Sequence, residues 1–165
     1  MVALYYSPGS ASLCVHWLLL DIGRPFELRR VDLAVGEQRS ADYLALNPGG
    51  VVPTLVCDGD VFVESSALLL MLAERYPDAG LLPPPGTAGR ASAYQWTVLM
   101  ANALQPAFRH WFYPQEAAGE AHADAAKSHA QARIEAFFGR VDVHLAANGP
   151  FLLGERLSAP DFFLE

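Results

Sequence analysis

Three hydroxyl side chains near the start of the chain, Tyr6, Ser10 and Ser12, are spaced so that they could stabilise an anion. They lie where an apolar run, Val2 to Tyr6, is broken by Ser7-Pro8-Gly9 and a helical pattern begins, so the donors gather at a helix N-terminus. One chemistry suited to such a place is activation of a thiol. A free thiol has a pKa of about 8.5, and only a few per cent of it is thiolate near neutral pH. Lowering that value by about two units takes roughly 2.7 kcal/mol of differential stabilisation. One hydroxyl donating to the charged sulfur supplies about 1.5–3 kcal/mol, and the helix end adds about 0.3–1 kcal/mol. A single well-placed serine or tyrosine is therefore enough, without a metal or a covalent intermediate. The plainer reading makes Ser10 a helix cap and packs Tyr6 in the core. A serine can cap and donate at once, so the two readings coexist.

The elements that must position these groups can be read around them. Val2–Tyr6 reads as a buried strand, and Leu13, Trp17 and Leu20 recur at helical spacing before Gly23, a C-cap. Phe26 to Val31 alternates apolar and charged residues as a second strand. Strand, helix and strand make a βαβ unit with parallel strands. A short helix near Ser40 to Leu46 leads to Asn47-Pro48-Gly49-Gly50. Asp58-Gly59, between Pro53–Cys57 and Asp60–Val63, is a strong hairpin signal, and a helix follows from Glu64 to Tyr76. The order βαβαββα is that of the thioredoxin fold. The proline-rich stretch 79–86 reads as a linker, which places one domain at 1–78 and an all-helical one at 87–165. That second part reads as helices from Thr87 to Gly119, kinked at Pro106, from Ala121 to Asn148, and from Ser158 onward.

Within this order, Val52-Pro53 opens a strand at the place the thioredoxin fold reserves for a cis proline. A cis bond there would turn the Val52 N–H and C=O outward, where an extended peptide pairs as an added strand. Glu64-Ser65 opens the third helix, where unpaired N–H groups and the positive helix end make a carboxylate receptor; the simpler reading is an N-cap. Ser158 with Asp161 three residues on has the form of a capping box and reads as structural.

Composition excludes several classes. The chain has 165 residues, 52% apolar and 18% charged, with a net charge of −7 and no basic block. Nucleic-acid binding needs a stripe of Lys and Arg, so it is disfavoured. No apolar run is long enough to span a bilayer, and no basic segment precedes Val2 as in a secretory signal. Cys14 and Cys57 make neither a disulfide framework nor a zinc cluster. A reduced, cytoplasmic location is expected, and no metal.

Taken together, Tyr5-Tyr6-Ser7-Pro8-Gly9-Ser10-Ala11-Ser12-Leu13, Asn47-Pro48-Gly49-Gly50-Val51-Val52-Pro53-Thr54-Leu55 and Glu64-Ser65 resemble the cytosolic glutathione transferases, over the whole chain. The opening is similar to that of the bacterial beta class. The resemblance implies that Val52, next to Pro53, pairs its backbone with the cysteinyl part of glutathione, and that Glu64 and Ser65 hold the γ-glutamyl end. Ser10 falls where the theta and zeta classes keep a thiol-activating serine, and Tyr6 where the alpha, mu and pi classes keep a tyrosine. The ranking for the catalytic hydroxyl is Ser10, then Tyr6, then Ser12. The implied activity is attack of the glutathione thiolate on a small electrophile, in a homodimer.

Three departures from the family pattern matter. Ala11 stands where the beta class has a cysteine, which removes thiol–disulfide chemistry through that residue; Cys14, a turn further on, reads as buried and structural. Gln105-Pro106 replaces a His-Lys pair. The chain also stops in the opening turns of a helix that the family needs in its core, which implies either a fragment or a sequence whose remainder is not recorded; a stump ending Phe162-Phe163-Leu164 would expose apolar surface. Phe108, Arg109, Trp111, Phe112 and Tyr113 read mainly as core packing. Gln105, Phe108, Arg109 and Phe112 are the candidates for lining a second-substrate site. The five histidines show no metal-like spacing, and His16 reads as packed. Two rival functions remain: a glutathione-dependent isomerase of the zeta kind, and a non-catalytic binding module that kept the fold.

Overall fold

The structure is a computed structural model, and it describes residues 1–164. The chain forms two compact units, one of Met1–Leu82 together with Phe162, Phe163 and Leu164, the other of Pro83–Asp161.

In the first unit, β1 (Val2–Tyr6), β2 (Glu27–Arg30), β3 (Thr54–Cys57) and β4 (Asp60–Val63) form one mixed sheet in the order β2-β1-β3-β4. The β1–β2 pair is parallel, and β1–β3 and β3–β4 are antiparallel. The parallel pair follows from the intervening helix α1 (Ser12–Ile22), since parallel neighbours need a long crossover. The hairpin β3–β4 turns on Asp58 and Gly59, whose φ angles of 56° and 100° match the primed turns that suit strand twist. Gly23 ends α1 with φ 69°, donating its N–H to the carbonyls of Leu19 and Leu20.

Alternation along β1 decides what each face carries. Leu4 and Leu55, paired across β1 and β3, are fully buried on one face. Tyr6, two residues after Leu4, meets His16 of α1 on that side, and α1 packs on α3 (Ser65–Arg75). Val15, Leu18 and Leu19 of α1 and Leu68, Leu69 and Leu72 of α3 fill the core. Tyr5 faces the other way and meets Tyr43 of α2 (Ala41–Leu46) edge-on at 5.9 Å. Val31 and Val52 complete that smaller cluster. The α1 stripe visible in the sequence is on the outside: Leu13, Trp17 and Leu20 are exposed, while Cys14, Val15, Leu18 and Leu19 are buried. A helix apolar all round carries no periodic mark of its inner face.

The second unit is helical, with α4 (Ala88–Leu99), α5 (Gln105–Phe112), α6 (Pro114–Ala118) and α7 (Ala123–Asn148). The expected continuous helix from Thr87 to Gly119 is broken twice. Met100–Leu104 is a turn of π-helix, in which the Gln105 N–H reaches back to the Met100 carbonyl; it widens the spiral just before Pro106. The second break is at Tyr113-Pro114, where Tyr113 leaves helical geometry, as residues before proline do. α5 and α6 both pack on α7, whose buried Ala130, Phe137 and Val141 form its inner stripe.

Instead of a helix start at Ser158 there is a 3-10 turn, Ala159–Leu164. Asp161 accepts the Ser158 N–H at 2.8 Å and the Leu152 N–H at 2.7 Å, which ties the segment down. The Ser158 hydroxyl donates to the same carboxylate at 2.5 Å, so this is one half of a capping box. Phe162 and Phe163 are not exposed as expected. Both are only 7% accessible, and they cluster with the first unit.

Candidate active site

The sheet register brings three distant stretches of sequence to one end. Tyr5 pairs with Thr54, and Thr54 with Val63. One residue further along each strand lie Tyr6, Pro53 and Glu64, and the N-terminus of α1 follows directly from Tyr6.

At that N-terminus three serines interlock. The Ser10 hydroxyl donates to the Ser7 carbonyl at 2.7 Å, and the Ser12 hydroxyl oxygen lies 3.1 Å from the same carbonyl and 2.8 Å from Ser10 Oγ. Ser12 Oγ accepts the Ser7 N–H at 3.2 Å, and Ser10 Oγ accepts the Ser12 N–H at 3.3 Å. Ala11 is the N-cap residue of α1, and the Ser10 hydroxyl takes the first helical N–H, that of Ser12; Ser10 is partly buried, whereas Ser12 is wholly buried. Tyr6 is half-buried, its ring 5.8 Å from that of His16, which in turn meets Phe26 at 5.8 Å. His16 is thus a packed residue between two rings. Cys14 is buried, with its Sγ 3.1 Å from the Ala11 carbonyl.

The loop before β3 is held from beneath. The Val51 carbonyl accepts from the Tyr43 hydroxyl at 2.7 Å and from Asn47 Nδ2 at 2.8 Å. Thr54 Oγ1 lies 2.9 Å from the Tyr43 hydroxyl and accepts from Asn47 Nδ2 at 3.0 Å. Burial raises the Tyr43 phenol above its ordinary value, against the opposing influence of the neighbouring Thr54 and Asn47 side chains, so it keeps its proton. The Val52–Pro53 bond is cis. Gly50 has φ 59°, and a Cβ there would come 3.1 Å from the Gln38 carbonyl, so glycine is required twice over.

Glu64 has φ 71° and ψ 108°, a conformation that costs a non-glycine residue energy and persists only when its surroundings demand it. Ser65, buried, opens α3. Nothing in the spacing of Tyr43, Asn47 and Thr54 marks them as a unit. The Asn47-Pro48-Gly49 turn was the available signal, since the Asn47 side chain accepts the Gly49 N–H at 3.0 Å.

Gln105, Phe108, Arg109 and Phe112 share one face of α5, at the spacing of neighbours on a helix. Arg109 is committed to Glu116, to which it donates twice at 2.9 Å, and it lies 5.0 Å over the Tyr113 ring. The aromatic cluster is not core: Phe108 and Trp111 are half-buried, and Phe112 is 58% exposed. These residues belong to the second unit. Among the described residues, no group of three or more His, Cys, Asp or Glu could hold a metal ion, and no helix is long and apolar enough to cross a membrane.

A four-stranded mixed sheet with this strand order and helix placement, followed by a helical unit, is a thioredoxin-like domain joined to an all-α one. Residues 10–75 match the family described as Glutathione S-transferase, N-terminal domain. Glutathione S-transferase GST-4.5 of Xanthomonas campestris is 34% identical over 98% of this chain and 78% of its own length. Glutathione S-transferase GstA of Escherichia coli O157:H7 is 36% identical, over 67% of this chain and 56% of its own. Among solved structures, a glutathione transferase homologue from Sulfitobacter with bound glutathione superposes with a TM-score of 0.90 at 31% identity, covering 99% of this chain and 79% of that one. A glutathione transferase from Methylococcus capsulatus gives 0.88 at 34%, with the same coverage. The chain belongs to the glutathione S-transferase family, a family of enzymes.

Proposed function

We propose that the protein binds glutathione at the end of the sheet marked by Tyr6, Pro53 and Glu64, and activates its thiol for attack on a small electrophile. The observation that carries this reading is the register across β1, β3 and β4, which gathers a serine-rich helix N-terminus, the Val52–Pro53 turn and the strained Glu64 at one edge. The Val52 backbone pairs with the cysteinyl part of the tripeptide. Glu64 and the N-terminus of α3 at Ser65 take the γ-glutamyl end.

Ser10 is the hydroxyl best suited to donate to the sulfur, because it is half-exposed at the helix end while Ser12 is fully buried. The thiolate it helps to form is the nucleophile, and the helix end adds to its stabilisation. Tyr6 stands second. The α5 face offers the apolar rings of Phe108 and Phe112, flanked by the polar Gln105 and Arg109, as the candidate surface for the electrophile. The bound glutathione of the Sulfitobacter homologue supports the choice of co-substrate.

A homodimer fits the apolar surface that each unit presents. Val61, Phe62 and Val63 are exposed on the edge strand β4, and Tyr94, Val98 and Leu99 on α4. Cys14 and Cys57 are thiols not joined in a disulfide, which fits the reduced cytoplasm.

The experiment is a calorimetric titration with glutathione, paired with a thiolate-absorbance titration of the bound thiol. The expected result is binding with the thiol pKa lowered by about one unit or more. Binding without that shift would leave a binding module, and the absence of binding would remove the function altogether. Product analysis excludes the isomerase if glutathione is consumed.

A further inference from the structure

We infer that Tyr43, Asn47 and Thr54 are positioning residues that fix the direction of the Val52 N–H; this rests on the glutathione reading above. None of the three can itself be the contact, since all are buried. They act through one peptide group. Val51–Val52 is a trans peptide, and in a planar trans unit the carbonyl and the following N–H point in opposite directions. Tyr43 and Asn47 draw the Val51 carbonyl inward, so the Val52 N–H is turned away from the network, where it is available to an added strand.

The protons show why three residues are needed for one orientation. Tyr43 has a single proton and gives it to Val51. The Thr54 hydroxyl, 2.9 Å away, therefore donates to the Tyr43 oxygen. One Asn47 N–H goes to Val51 and the other to Thr54, while its carbonyl oxygen holds the Gly49 N–H. With every donor placed, reversing the Val51–Val52 peptide would leave two buried donors facing an N–H. A loop held only by packing would carry no such directional preference.

The test uses the full chain with Tyr43→Phe, Thr54→Val and Thr54→Ser, reading glutathione Kd, KM and kcat, and urea unfolding. Tyr43→Phe and Thr54→Val are expected to raise Kd and KM about five- to tenfold, the effect of one misdirected hydrogen bond. Thr54→Ser, which keeps the hydroxyl, should bind within about twofold of the parent. The kcat at saturating glutathione should hold in all three, because the serine cluster is on another loop. Variants that are less stable but bind as tightly as the parent would overturn the inference and leave the glutathione reading standing. A parent that binds no glutathione would overturn both. Should the variants not fold, amide exchange in the parent decides: the Val52 N–H must gain protection when glutathione binds, and unchanged exchange would overturn the inference.

Discussion

The hydroxyl oxygens of Ser10 and Ser12 lie 2.8 Å apart, and both are within reach of the Ser7 carbonyl, at 2.7 and 3.1 Å. The pair can exchange duties. When Ser10 turns its proton toward an arriving sulfur, the Ser12 proton satisfies the Ser7 carbonyl, and no buried acceptor is orphaned.

That division of labour predicts two different failures. Ser10→Ala should bind glutathione within about threefold of the parent while the bound thiol pKa returns toward about 8.5. Ser12→Ala should instead lose about 1–3 kcal/mol of stability in urea, because the buried Ser7 N–H loses its acceptor. A thiol pKa that rises in Ser12→Ala alone would reverse the two roles.

Glu64 predicts an opposition between stability and binding. Glu64→Gly relieves the positive φ and should leave the protein as stable or more so, by up to about 1 kcal/mol, whereas Glu64→Ala keeps the strain. Both should weaken glutathione binding. Parallel unfolding and calorimetric measurements check this, and a Glu64→Gly variant that binds like the parent would detach Glu64 from the ligand.

Asp58, at the β3–β4 turn, accepts from the chain's amino terminus at 2.6 Å and pairs with Arg75. The hydrogen bond from the amino terminus, then that from Arg75, hold its carboxyl below the ordinary 3.8. A carboxyl depressed in the folded state stabilises above its unfolded pKa, and the effect is lost as pH falls through the folded value. The stability difference between the parent and Asp58→Asn should therefore be flat near neutral pH and vanish only below 3.8. Since the groups are exposed, salt should shrink it.

The dimer is tested on α4. Val98 is 54% exposed, so Val98→Arg disturbs no core. Sedimentation should show the parent as a dimer and the variant as a monomer at micromolar concentration. A dimeric variant would move the interface off this face.

What the sequence made legible was punctuation. Gly23, Asp58-Gly59 and the Ser158–Asp161 pair each act where their side chains or φ preferences require, because such signals are local. Burial was less readable. Leu13 and Leu18 look alike in an apolar helix, and only packing against α3 separates the exposed one from the buried one. Phe162 and Phe163 looked stranded for the same reason, since their covering lies far off in sequence. In the site, the hydroxyls of α1 and the Val52–Pro53 turn were visible as residue types. The support beneath Val51 was not, because Tyr43, Asn47 and Thr54 are brought together by the fold.

The π turn at Met100–Leu104 gives the helix one residue more than an α-turn would hold. A helical wheel drawn straight through Ala88 to Phe112 is therefore out of phase beyond Leu104 by about 100°, one residue's rotation. The surplus residue and Pro106 are a matched pair. Deleting Asn102 alone would restore α-helical bonding and drive the proline ring against a carbonyl, at a cost of about 3 kcal/mol or more. Deletion combined with Pro106→Ala would let the helix run on unbroken, so each change makes the other tolerable.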